Sequence, residues 1–96
     1  MNELTIVAII RAVAGRGDAA AVEIEKLVEP TQAEDGCIRY DLHRDNVDPD
    51  RFLFYETWAS RPQWQAHMNS DHIAVYKTAT GELVESVEIF EMTRTK

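Results

Sequence analysis

Apolar positions along this chain switch between two periods, and each switch predicts an element boundary. Residues 4–12, LTIVAIIRA, form a near-continuous β-branched run bounded by Gly15 and Gly17, the pattern of a buried strand. In the next stretch Ala20, Ile24, Leu27 and Val28 fall at i, i+4, i+7 and i+8, one face of a helix whose other faces carry Glu23, Glu25, Lys26 and Glu29. Asp18 is its expected cap. Pro30 lacks the N–H of a continuing helix, so the helix is expected either to stop there or to kink and run on to Glu34.

Period two returns at residues 37–44, CIRYDLHR: Ile38, Tyr40 and Leu42 lie on one side, Arg39, Asp41 and His43 on the other. The turn formers of 45–50 follow, then a second strand, FLFYETW, at 52–58. Pairing Arg44 with Phe52 puts Ile38, Tyr40, Leu42, Phe52, Phe54, Glu56 and Trp58 on one face, and a slip of one residue would undo that grouping. Ser60 then caps a helix with Pro62 in its first turn and Trp64, His67 and Met68 along one stripe. Ser70 or Asp71 caps a further short helix, its inner stripe drawn from His72, Val75 or Tyr76, Ala79 and Leu83, with Gly81 able to end it early. Val84 to Thr93 closes the chain as a strand.

The order is β-α-β-β-α-β, an α+β, ferredoxin-like arrangement with helices on one face of an antiparallel sheet. One domain over 1–96 is expected. The helix-free face carries Leu53, Tyr55 and Thr57 beside Arg39 and Asp41, too apolar to be left wet and too polar for a monomer core. A second copy covering it, hence a homodimer, is the expectation.

Charge narrows the partners. The net charge is −7, with 17 acids against 10 bases and no basic cluster, which disfavours nucleic acid and anionic membranes. The apolar run at the N-terminus ends at Arg11 without a basic leader, so no signal peptide or membrane span is expected, and a cytoplasmic location is the default. A single cysteine, Cys37, rules out an internal disulfide and a thiolate metal cage; a buried, inert thiol is its default reading.

On the preferred register Tyr40, Phe54, Glu56 and Trp58 project toward the same space as Trp64, His67, Met68, His72 and Tyr76. Each alone reads as packing. Together they make an apolar hollow with a few converging polar groups, the usual form of a small-molecule pocket. Large aromatic side chains there suit a flat ring. A metal is not expected: His67 and His72 are five apart, roughly 140° around a helix, where a helical ligand pair wants i, i+4. Glu56 could join them in a two-histidine, one-carboxylate set only if the fold converged the three. His43, beside Arg39 and Asp41, reads as part of an interface or hairpin-rim ion pair.

The stretches EDGCIRYDLH (34–43) and FYETW (54–58), followed by His67 and SDH (70–72), resemble the antibiotic biosynthesis monooxygenase domain, nearest its small quinol monooxygenase-like group. The resemblance covers nearly the whole chain. It implies a dimeric α+β barrel with a pocket between helices and sheet, and a cofactor-independent monooxygenase oxidising a small quinol or phenolic compound with O2. An electron-rich phenolate can reduce dioxygen without flavin or metal, so the protein must mainly deprotonate and orient it. His67 or His72 is the expected base. Glu56 would orient an imidazole or bond a substrate hydroxyl, and Trp58, matching a tryptophan in oxygenase members, would stack on the ring. Tyr40, Phe54, Trp64, Met68 and Tyr76 would bind the substrate. Two departures matter: Phe54 stands where some members carry an asparagine, and LTIVAII offers none, which disfavours haem degradation. The alternatives are a non-oxidative isomerase or degrader of a small carbonyl signalling compound, and a non-catalytic dimeric ligand-binding protein.

Overall fold

The structure, a computed structural model, describes residues 3–96. Its elements are β1 (Leu4–Ala12), α1 (Gly17–Glu25), α2 (Val28–Gln32), β2 (Cys37–Arg44), β3 (Arg51–Trp58), α3 (Arg61–Met68), α4 (Asp71–Ala79) and β4 (Val84–Met92). The four strands form one antiparallel sheet in the order β2-β3-β1-β4, the ferredoxin-like order, with the helices on one face.

Pro30 kinks the first helical region rather than ending it. The chain breaks helix at Lys26–Leu27 and restarts, which leaves Pro30 third in α2. A first-turn N–H has no partner within the helix, so its loss there costs no helical hydrogen bond. Asp18 does not cap α1. Asp50, from the β2–β3 turn, accepts from the backbone N–H groups of Gly15 (3.0 Å) and Gly17 (2.9 Å), while the Asp18 carboxylate pairs with Arg44 at 2.9 Å. Ser60 and Ser70 do cap α3 and α4, accepting from the N–H groups of Gln63 and Ile73. The inner face of α4 holds His72, Ile73 and Tyr76, followed by Thr80; Val75 and Ala79 face solvent, and Leu83 lies beyond the helix end.

The hairpin register is the expected one: Arg44 pairs with Phe52, Leu42 with Phe54 and Tyr40 with Glu56. It fails at one place. A bulge between Cys37 and Arg39 puts two residues of β2 against one of β3 and turns Ile38 out of the core, 55% exposed, while Cys37 packs against it. The helix-covered face buries Ile6, Ala8, Ile10, Phe52, Phe54, Glu56 and Trp58. The other face carries Val7, Ile9, Leu53, Tyr55, Phe90 and Met92 by the pleat, with Arg39 over the Tyr55 ring and paired to Asp41 at 3.0 Å.

Candidate active site

Between α3, α4 and the sheet lies a cleft of about 410 Å³. Seven of the expected site residues line it: Tyr40, Phe54, Glu56, Trp64, His67, Met68 and Tyr76. Ile73, Lys77 and Thr80 join them from the α4 region, and Val87 and Ile89 from β4. Val87 and Ile89 are 48% and 40% exposed, so the cleft opens past α4 along β4. Trp58 and His72 are not part of its wall. Trp58 is fully buried and has no free face on which a substrate ring could stack.

Trp58 works on its neighbours instead. Its indole N–H donates to Glu56 Oε1 at 2.8 Å, and its ring lies against His67 with centroids 4.9 Å apart. Tyr40 meets the same imidazole edge-on at 5.5 Å and stacks on Phe54 at 4.4 Å. His67 is therefore clamped between two aromatic rings, which fixes its plane.

Its tautomer is fixed by a residue that the sequence pattern did not single out. Glu34 Oε2 lies 2.6 Å from His67 Nδ1 and 2.8 Å from His72 Nε2. An ionised carboxylate only accepts, so both facing ring nitrogens carry the hydrogen. That assignment leaves Nε2 of His67 with a free lone pair on an imidazole that lines the cleft. The expectation that Glu56 would orient an imidazole is thus corrected: Glu56 is held by Trp58, and Glu34 takes the orienting place. Glu34 reaches it from the turn after α2, where Gly36 has φ +84 and a Cβ there would collide with Gln63. Only glycine fits that turn without strain.

The electrostatics separate the groups. Burial pushes Glu56 up to about 7; the Trp58 hydrogen bond opposes this and the charge of Glu34 adds to it. Burial pulls His67 below its ordinary value, outweighing the pull of Glu34 in the other direction, so the neutral imidazole is favoured. Burial raises the Tyr40 and Tyr76 phenols, and it pushes the Cys37 thiol up to about 11, which makes that thiol a poor nucleophile. Among the described residues the buried Tyr76 hydroxyl has no hydrogen-bond partner. Glu34, His67 and His72 also bring three donor atoms within 4.8 Å of one another. The two histidines sit on separate helices, so their spacing in sequence places no limit on their meeting.

The family model described as antibiotic biosynthesis monooxygenase matches residues 4–79, and the chain belongs to that family. A Mycobacterium tuberculosis protein, Rv0793, whose name proposes a monooxygenase, is 34% identical over 61 residues, 64% of this chain. The match spans 59% of that relative, and 51% of a Synechocystis relative, sll1783, that is 24% identical over 75 residues. Among solved structures, PA3566 from Pseudomonas aeruginosa superposes with a TM-score of 0.95 at 32% identity, covering 100% of this chain and 97% of that one. SO0527 from Shewanella oneidensis gives 0.85 at 30%, covering 95% and 91%. Among the described residues no helix is long and apolar enough to cross a membrane.

Proposed function

We propose that the chain is a cofactor-independent monooxygenase of a small quinol or phenolic compound, acting as a homodimer. The observation that carries this reading is the His67 imidazole, set in the wall of an apolar cleft with Nδ1 bonded to Glu34. His67 Nε2 takes the proton of a substrate hydroxyl, and the resulting quinolate passes an electron to dioxygen. The two radicals combine at a ring carbon. One oxygen atom stays on the ring and the other leaves as water, so a quinol and O2 become a hydroxyquinone and H2O. Glu56 stands in the same wall and offers the substrate oxygens a hydrogen bond. Tyr40, Phe54 and Trp64 give the cleft aromatic lining that suits a flat ring.

The dimer rests on the open sheet face. Phe90, Met92 and Tyr55 are 41%, 46% and 37% exposed on one surface, an apolar patch that a second sheet would cover. Size-exclusion chromatography with light scattering should give twice the 11.0 kDa chain mass.

The activity is tested by oxygen uptake from metal-stripped protein with menadiol. The expected result is turnover above buffer autoxidation that falls by roughly 10²–10⁴ in His67→Ala, the usual worth of a positioned base. Rates at the autoxidation level, the same in both proteins, would reject the reading.

A further inference from the structure

We propose that Glu34, His67 and His72 form a binding site for one first-row divalent cation, zinc being the probe, and that loading it switches off the base. The metal site stands on the geometry alone; the switching rests on the function proposed above.

The donors are two imidazole nitrogens and a carboxylate oxygen, a set that suits zinc and its neighbours and not magnesium or calcium, which prefer oxygen alone. They come from three places, the turn after α2, the last turn of α3 and the first turn of α4, and lie within 4.8 Å of one another. Donors about 2.1 Å from a tetrahedral zinc stand roughly 3.3 Å apart. The Glu34 oxygen, now 2.6 and 2.8 Å from the two nitrogens, would have to back away by under about 1 Å, and the two nitrogens, within 4.8 Å of each other, would have to draw together by up to about 1.5 Å, a shift that falls to half-buried His72 because His67 is clamped. His72 and Glu34 side chains are 24% and 18% exposed, so the cluster has an approach from solvent that does not pass through the cleft.

Position decides what the ion would do. Glu34 and His72 are outside the cleft wall, and His67 meets them through Nδ1. A cation bound there lies behind the imidazole, away from the substrate. To bind it, both imidazoles must turn a donor nitrogen into a ligand: His67 moves its hydrogen from Nδ1 to Nε2 and His72 from Nε2 to Nδ1, with no net proton released. The free lone pair on Nε2 of His67 is then gone. Bound metal is thus an inhibitor in this geometry, and a proton acceptor is exchanged for a donor at one atom.

Isothermal titration calorimetry of the metal-stripped chain with zinc is the test, run beside menadiol turnover. The expected result is one zinc per chain, with affinity lowered at least about tenfold in both Glu34→Gln and His72→Ala and unchanged in His43→Ala. Circular dichroism confirms that each variant is folded; Glu34→Gln keeps the shape of the side chain, and His72 is only half-buried. Turnover should fall along the same titration curve and return with a chelator. No zinc binding, or binding indifferent to Glu34→Gln and His72→Ala, overturns the site. Zinc binding with the expected variant pattern but unchanged turnover upholds the site and overturns the switch. If the metal-stripped protein shows no turnover at all, the functional reading has failed and the calorimetry alone decides the site.

Discussion

Two buried or half-buried acids stand on either side of Trp58 and His67, and they behave differently because they sit on different kinds of backbone. Glu56 is in mid-strand, where the pleat dictates its direction and the sheet and helices strip it of water; one indole N–H is its partner. Glu34 is on a turn, still touched by solvent, and has two imidazole partners on one oxygen. The strand position makes an acid whose proton is held. The turn position makes an acceptor that organises its neighbours.

The largest expected effect that separates them is kinetic. Glu34→Ala should lower kcat for quinol oxidation by roughly 10²–10⁴, because an unheld His67 loses the tautomer that presents its lone pair. Glu56→Gln should raise KM by about tenfold or less, the worth of one hydrogen bond, with kcat little changed. Steady-state oxygen uptake reads both, and equal kcat losses would erase the distinction.

The next effect is in stability against pH. Glu56 titrates at about 7 in the fold against an ordinary 4.5, so the native state favours its protonated form. That contribution is complete below about 4.5 and drains away as pH rises through about 7, by on the order of 3 kcal/mol in all. Urea unfolding from pH 4 to 9 should show the loss, and Glu56→Gln should flatten it.

Gly36→Ala should cost about 2 kcal/mol, through the left-handed φ and the collision with Gln63. Thermal unfolding measures it, and displacement of the Glu34 turn should slow turnover as well. A comparable cost, about 2 kcal/mol in urea, is expected from Trp58→Phe: a ring still backs His67, but the bond to buried Glu56 is lost and the smaller ring leaves a void.

The same contrast explains what the amino-acid pattern could reveal. Strand residues are legible because period two and a hairpin register leave little choice: Arg44 opposite Phe52 places Tyr40, Phe54 and Glu56 on the cleft side. Helix stripes are legible for Trp64, His67 and Met68. Turn residues are not. Glu34 follows a helix by two residues and carries no periodic signal; its place depends on the positive φ at Gly36 and on where α3 and α4 pack. Asp50 as the cap of α1 is hidden for the same reason, a contact across more than thirty residues between two loops. The bulge at Cys37–Arg39 carries no signal in the alternation either: it turns Ile38 out of the core while Tyr40 and Leu42 keep their side.

Because Trp58 is shut away from water with its N–H on Glu56 and its ring on His67, its light emission is tied to both groups. Gaining a proton on the imidazole brings a quencher into contact with the indole, and a change at Glu56 alters the field along the N–H bond. The fold thus carries an internal fluorophore at the junction of its two acids, and a Trp64→Phe background would isolate that signal for titration or rapid mixing.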